Sequence, residues 1–198
     1  IKELQAPGLY FAVLRRPGFG WILAVTALTS TVGYGQMEAG IPAFARTVSQ
    51  VSTEAVGLLF AANTAVIVLL QFVVLHRIEG HRRTRVMMTL LAIWAVSWGL
   101  LGLSGLLPGT LAAAMLVVAY GAVFGLGETM LQPSIPAMVN DSAPDPLRGR
   151  MNAASSTAFM LGAIVGPVLA GVLLGRGLAA VFIGCMLLGL VVSAWMLL

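Results

Sequence analysis

Two glutamates lie inside long apolar stretches of this sequence, where a charge demands an explanation. Glu128 is the first charged residue after Arg85, so residues 86–127 carry no charge, and Glu38 follows 21 uncharged residues. An ionised carboxylate at the centre of a bilayer costs about 2.5–3.5 kcal/mol, so it should face water, find a partner or bind a proton. We predict that Glu128 and Glu38 carry protons by alternating between ionised and protonated forms. The alternative is a structural role, with each carboxyl hydrogen-bonded to a neighbouring helix.

Polar and aromatic side chains recur one helical turn apart around both acids. Residues four apart lie on the same side of a helix, and such rows connect Tyr120 to Gln132 through Glu128, and Tyr34 to Glu38. A third polar row lies between the first two in the sequence. We predict a cavity for amphiphilic, often cationic, organic compounds, lined by Tyr34, Asn63, Gln71, Tyr120, Phe124 and Gln132. For the amides the alternative is interhelical hydrogen bonding, and for the aromatic residues it is packing.

The composition identifies the class of protein that must position these residues. Hydrophobic residues make up 59% of the 198-residue chain and charged residues only 9%, whereas soluble domains are about one quarter charged. The sequence lacks the polar–apolar alternation of membrane barrels. We therefore expect an all-α integral membrane protein in contact with the lipid bilayer. The net charge of +4 resides between apolar runs, so we expect no nucleic-acid partner.

Six apolar runs are long enough to cross a bilayer, which takes about 20 residues in a helix. The Pro-Gly turn at 107–110 separates the third run from the fourth. Ser52 or Thr53 is a candidate N-cap for the second helix and Asp145 for the fifth, with Pro146 at the first helical position. The predicted spans of the six-helix membrane domain, residues 18–198, are about 18–45, 54–76, 86–107, 111–138, 147–175 and 178–198; residues 1–17 form a predicted cytoplasmic linker.

The basic residues predict the orientation of the spans. Nine of them fall on one side of the six predicted crossings, and only Arg46 and Arg176 fall on the other. Because cytoplasmic loops are enriched in Lys and Arg, we expect both ends of the segment to be cytoplasmic, in a cell (inner) membrane. Arginine greatly outnumbers lysine, which suggests a bacterial source. The sequence starts without methionine and stops within an apolar run, so we expect it to be part of a longer protein.

The loop between the second and third spans concentrates basic residues. Its arginines include Arg77, Arg82 and Arg83. They are expected either to set the topology and attract anionic lipid or to form a cytoplasmic gate by bonding to helix ends. His76 and His81 lie in the same loop, but no second cluster of ligands accompanies them, so we expect no metal site.

The fifth span carries a row of small residues every fourth position, from Ala154 to Ala170. Such a row lets another helix approach closely, and the proline beside it predicts a local bend. The helix-packing residues expected from this segment are Gly162, Gly166, Pro167 and Gly171.

These segments resemble the carboxyl-terminal half of the major facilitator superfamily. "GAIVGPVLAG" (162–171) resembles the Gly-x-x-x-Gly-Pro segment of its fifth and eleventh helices, and "LHRIEGHRRTR" (75–85) its basic loop between helices two and three or eight and nine. "LYFAVLRRPGF" (9–19) is similar to the linker before helix seven, "NTAVIVLLQ" (63–71) to helix eight of drug/proton antiporters, and "NDSAPDPLRGRMN" (140–152) to the connection before helix eleven.

The resemblance implies one six-helix half of a twelve-helix secondary transporter, with a 3+3 inverted repeat. "YGQMEAGIPAF" and "LGETMLQPSIPAM" in the first and fourth spans are a faint internal echo of that repeat. The implied function is proton-coupled efflux of drug-like or lipophilic compounds, driven by the proton gradient with no cofactor. The implied partners are an amino-terminal six-helix half, or a second copy, and a small amphiphilic substrate.

Three other functions compete with efflux. A nutrient or metabolite uptake permease is one, although it would call for more polar side chains than this sequence offers. A non-transporting membrane scaffold subunit is another, but it leaves two embedded acids unexplained. An enzyme is not expected, because the sequence has no Gly-x-Ser-x-Gly elbow, no His-Glu-x-x-His and no cluster of His and Asp.

Overall fold

The computed structural model describes residues 18–198, and every regular element in that range is a helix. The described part begins with α1 (Phe19–Val32), a π-helical segment (Gln36–Gly40) and α2 (Ile41–Thr47). A loop at 48–52 follows, and then five longer helices. These are α3 (Thr53–Ile78), α4 (Arg83–Ser104), α5 (Leu111–Ser142), α6 (Arg148–Gly175) and α7 (Ala179–Met196).

The five longer helices are each long and apolar enough to cross a membrane. Their length and composition confirm the expectation of a multi-pass helical membrane protein. Large apolar side chains also point outward, with Phe72 74% exposed and Leu111 78% exposed. A surface of this kind is stable in lipid rather than in water.

The first predicted span, 18–45, is not one continuous helix. Helix α1 ends at Val32, Gly33 leaves helical geometry, and the π segment separates it from α2. Gly33 lies against the ring of Trp94, where a Cβ atom would be only 2.4 Å from the ring. Because each piece is short, the sixth crossing stays a prediction.

The other boundaries lie close to the predicted ones. Helix α3 begins after Ser52, whose hydroxyl accepts a hydrogen bond from Ala55 N at 3.3 Å, and α5 continues to Ser142 rather than 138. Asp145 is not an N-cap: it opens a short 3₁₀ turn, Asp145–Leu147, whose cap is Pro144. Proline there fixes the backbone before α6, so the turn starts one residue earlier than predicted.

The core of the bundle is aromatic and lies between α4, α5 and α7. Five fully buried rings form it, and their centroids are 4.5–5.7 Å apart in successive stacked or edge-on pairs: Trp94, Trp98, Tyr120, Phe124 and Phe182. The Trp94 indole donates a hydrogen bond to the Phe124 carbonyl oxygen at 3.1 Å, and the Trp98 indole donates one to the Val32 carbonyl oxygen at 3.2 Å. These bonds satisfy the indole N–H groups inside an apolar core.

Helices α1 and α6 touch through their backbones. A Cβ atom at Gly162 would be 2.2 Å from the Ala27 carbonyl oxygen, and one at Gly166 would be 2.7 Å from Gly35 Cα. Pro167 lies inside α6 directly after this contact. The expected packing role of Gly171 is corrected, because a Cβ atom there would meet nothing within 4 Å. Gly171 lies one residue past the small row, and therefore about 100° around the helix from it.

Candidate functional site

Glu128 lies where α5 meets α3. Its carboxylate accepts a hydrogen bond from Asn63 Nδ2 at 3.2 Å. Gly125, nearly one turn earlier, makes that bond possible, because a Cβ atom there would be 2.7 Å from the Asn63 carbonyl oxygen. Asn63 is buried, with 6% of its surface exposed, whereas Glu128 is partly exposed. The carboxylate thus accepts a neutral donor from α3 while its side chain stays partly exposed.

A second pair of polar groups reaches the same carboxylate from the break after α1. The Tyr34 hydroxyl accepts a hydrogen bond from Gln132 Nε2 at 2.8 Å. The same hydroxyl lies within interaction range of the Glu128 carboxyl group. Tyr34 occupies this position because the helix breaks at Gly33. Three elements therefore converge on Glu128: α3, α5 and the segment that follows α1.

A cavity of about 370 Å³ lies beside these residues, between α1, α5 and α6. That volume falls in the range of small-molecule sites. The lining is mostly apolar with a few hydroxyl and amide groups, and it contains neither Arg nor Lys: Thr26, Tyr34, Leu131, Gln132, Ile135, Pro136, Asn152, Ser155, Ser156, Phe159 and Met160. The lining contains no Asp or Glu either, so by itself it suits an apolar molecule with a small polar group.

The six predicted cavity residues lie in three different places. Tyr34 and Gln132 line the cavity. Asn63 and Gln71 lie in the α3–α5 contact, where Gln71 Nε2 donates to the Thr129 carbonyl oxygen at 3.4 Å. The alternative interpretation of these two amides, interhelical hydrogen bonding, is the one that the structure shows.

Tyr120 and Phe124 are corrected from cavity lining to core. Both are fully buried, and Phe124 stacks on Trp94 with centroids 4.5 Å apart. The cause is helical geometry: positions four apart drift by about 40° per step, so Tyr120 and Gln132 differ by about 120°. One end of the row faces the aromatic core and the other end faces the cavity. The Tyr120 hydroxyl has no hydrogen-bond partner among residues 18–198.

Glu38 is not part of this arrangement. It lies in the π segment with an exposed side chain, and no lining residue is within one helical turn after it, whereas Glu128, itself outside the lining, lies one turn before Gln132. Within the described range it forms no ion pair or hydrogen bond of its side chain. The two acids therefore differ: Glu128 accepts a hydrogen bond from Asn63, whereas the Glu38 side chain is exposed.

Sequence reasoning missed two groups of polar residues. Gln36 is fully buried, and its Nε2 donates to the Thr31 and Gly166 carbonyl oxygens at 2.9 and 3.0 Å. The amide side chain between glycines in "YGQMEAG" could have indicated a buried, hydrogen-bonded residue at a close helix contact. The polar residues Asn152, Ser155 and Ser156 of α6 line the cavity. Their helical spacing, beside the small row on the same helix, would have identified them.

The basic loop contacts a helix end through one arginine. Arg83 Nε lies 3.7 Å from Asp141 Oδ2 at the end of α5, and both side chains are exposed. Exposed pairs of this kind contribute about 0–1 kcal/mol. In the part of the chain that the structure describes, Arg77 and Arg82 form no ion pair, and no group of three metal-ligating side chains occurs.

A family model described as Major Facilitator Superfamily matches residues 41–198. The match begins at α2 and includes Asn63, Glu128 and the whole of α6. Comparison with curated proteins and with solved structures found no significant match.

Proposed function

Because the chain belongs to the major facilitator superfamily, a family of secondary transporters, we propose that it is one half of a proton-coupled exporter of amphiphilic compounds. The observation that carries the proposal is the position of Glu128 beside a mostly apolar cavity, with Asn63 and Tyr34 as its partners. The proposed role of this acid is to bind a proton in one state of the transport cycle and release it in another.

The surroundings of Glu128 are compatible with both forms of the carboxyl. The Asn63 amide donates to the ionised form, which compensates part of its desolvation. No Lys or Arg pairs with Glu128 among the described residues, so no fixed positive charge locks the carboxylate in the ionised state. A protonated Glu128 is neutral and tolerable in lipid surroundings.

The cavity lining supports a largely apolar substrate, and the nearby Glu128 would attract a positive charge on it. Phe159, Met160 and Leu131 offer apolar and polarisable contacts. No acid lines the cavity itself, but Glu128 lies about one helical turn before the lining residue Gln132. A cation and a proton would therefore compete for one carboxylate. That competition is the simplest physical basis for exchanging one for the other.

The proposed unit needs a second bundle, because alternating access comes from two bundles rocking around a shared site. The proposed partner is an amino-terminal six-helix half or a second copy of this chain. Trp21 at the start of α1 meets Trp195 near the end of α7, with ring centroids 6.1 Å apart. This contact supports an even number of crossings, six, with the start of α1 and the end of α7 on the same side. The distribution of basic residues favours that side as the cytoplasmic one. The proposed location is a bacterial inner membrane.

The test replaces the carboxyl with its neutral isostere. In inside-out vesicles that contain the full-length protein, Glu128→Gln should lower proton-driven export of a lipophilic cation at least about tenfold, because the side chain can no longer exchange a proton. Membrane abundance should be unchanged. Glu79→Gln is the matched control, since Glu79 is exposed at the end of α3. Undiminished export by Glu128→Gln would reject the proposal.

A further inference from the structure

A second, smaller cavity lies between the end of α3, the start of α4 and the middle of α5. Its volume is about 110 Å³, room for a few water molecules at roughly 30 Å³ each or for one compact anionic group. Three basic side chains and an apolar floor line it: Arg77, His81 and Arg85, with Ile78, Val86, Thr89 and Met130. No acidic residue is among them.

The arginines of this cavity lack counter-charges. Arg83 and Arg148 pair with Asp141 and Asp145, whereas Arg77 and Arg85 form no ion pair anywhere in residues 18–198. Their positive charges, brought together around one small cavity, repel each other unless an anion lies between them. His81 Nδ1 lies 3.2 Å from the Glu79 carbonyl oxygen, so the two arginines are the fixed positive charges of the cavity.

The start of α4 adds to the positive potential. Its N-cap, Arg82, provides no side-chain hydrogen bond, and its first turn contains no acid. By contrast, Ser52 and Thr110 cap α3 and α5. Cations at the positive end of a helix dipole are unfavourable, and an anion there is favourable. The basic residues near the start of α4 therefore destabilise that helix end by themselves, and a bound anion would offset this effect.

We propose that this cavity binds a phosphate group, with the headgroup of an anionic phospholipid as the favoured source over free phosphate. Guanidinium groups bind phosphate with paired, charge-assisted hydrogen bonds. The apolar floor of Ile78, Val86 and Met130 suits the glycerol and acyl part of a lipid and offers nothing to free phosphate. The basic loop also belongs to the side that the arginine distribution predicts as cytoplasmic, where anionic lipids attract such residues.

This site is separate from the cavity beside Glu128. Met130 follows Glu128 by two residues on α5, which places the two side chains about 200° apart around the helix. The proposal therefore does not depend on the transport mechanism, and either one can fail alone.

The test measures binding of short-chain phosphatidylglycerol to the full-length protein in a neutral detergent. Arg77→Gln and Arg85→Gln, made separately, should each weaken binding about tenfold, because each removes a direct phosphate contact. Arg82→Gln is the matched control: it removes the same charge from the same loop but does not line the cavity, and it should change affinity less than about threefold. The unfolding temperature of each variant confirms that the exposed substitutions leave the fold intact.

Two further ligands identify the source of the phosphate. Saturable binding of phosphatidylglycerol that inorganic phosphate cannot displace supports a lipid headgroup. Displacement by inorganic phosphate, with the same dependence on Arg77 and Arg85, supports the same site with a free anion as its ligand. Equal weakening by Arg82→Gln, no weakening by either cavity variant, or equal binding of zwitterionic phosphatidylcholine would each overturn the proposal.

Discussion

Two pairs of helices in this bundle approach each other through glycine, and they use that closeness differently. Gly162 and Gly166 bring α6 onto α1, and Gly121 and Gly125 bring α5 onto α3. In each pair an added Cβ atom would fall 2.2–2.7 Å from an atom of the facing backbone. The backbone geometry is thus the same in both contacts, and the difference lies in the polar groups that each contact holds.

The α1–α6 contact is closed by neutral groups. Gln36 Nε2 donates to the Gly166 carbonyl oxygen, and the Ser30 hydroxyl donates to the Phe159 carbonyl oxygen at 2.7 Å. The α3–α5 contact instead directs the Asn63 amide at Glu128, a group that can change its charge. The comparison indicates that close approach holds the bundle together in both places, and that only the α3–α5 contact directs a hydrogen bond at an ionisable side chain.

The largest expected effect comes from filling the α1–α6 contact. Gly162→Leu places a side chain against the Ala27 carbonyl oxygen. Because the backbone cannot rotate away, we expect the free energy of unfolding to fall by about 3 kcal/mol, the upper end for overpacking. The protein should fail to accumulate in the membrane. Gly171→Leu is the matched control, since its Cβ meets no atom within 4 Å. Membrane abundance and thermal unfolding in detergent measure both; equal behaviour of the two variants would contradict the packing account.

The sequence predicted the bounds of the long apolar helices well, for a physical reason. Lipid requires long uninterrupted apolar helices, so charge-free runs give α3 as 54–76 against Thr53–Ile78. The break after Val32 was not predicted. It depends on Trp94 filling the space beside Gly33, and that contact joins residues 61 positions apart, which no local pattern encodes.

Removing the amide from each contact in turn separates chemistry from packing. Asn63→Leu should lower transport about tenfold, because Glu128 loses its donor, while stability changes by about 1 kcal/mol. Gln36→Leu removes two hydrogen bonds from the other contact and should cost about 1–2 kcal/mol. Its transport rate per folded molecule should stay within about twofold of the original. Vesicle transport normalised to membrane abundance, with unfolding in detergent, measures both, and a reversed pattern would break the comparison.

The smallest expected effect comes from a single hydroxyl. Ser30→Ala removes the hydrogen bond to the Phe159 carbonyl oxygen, and interhelical bonds of this kind average about 0.6 kcal/mol. Ser193→Ala is the control, because Ser193 is also buried but bonds only within its own helix, to Gly189. Thermal unfolding in detergent should show a larger decrease for Ser30→Ala. A larger decrease for the control would mean that this hydroxyl does not help to join α1 to α6.

The candidate site was predictable in kind but only partly in its members. Glu128 and Gln132 were found because charged and amide groups are rare in apolar runs. Tyr120 and Phe124 were assigned to the cavity because a row of four-residue steps was treated as straight, although it turns by about 120° over its length. The α6 residues of the cavity were missed because the small row beside them indicates helix packing, and their own spacing at 152, 155 and 156 was not used.

The central claim is that Glu128 lies at a cavity which water can reach, and thiol labelling tests it most directly. Cys185 is the single cysteine of this sequence, so a Cys185→Ala background, freed of any cysteine elsewhere in the full-length protein, allows one new thiol at a time. Glu128→Cys should react with a charged, membrane-impermeant thiol reagent at a rate close to that of Gln132→Cys in the cavity lining. Labelling as slow as that of Phe124→Cys in the buried core would contradict the account.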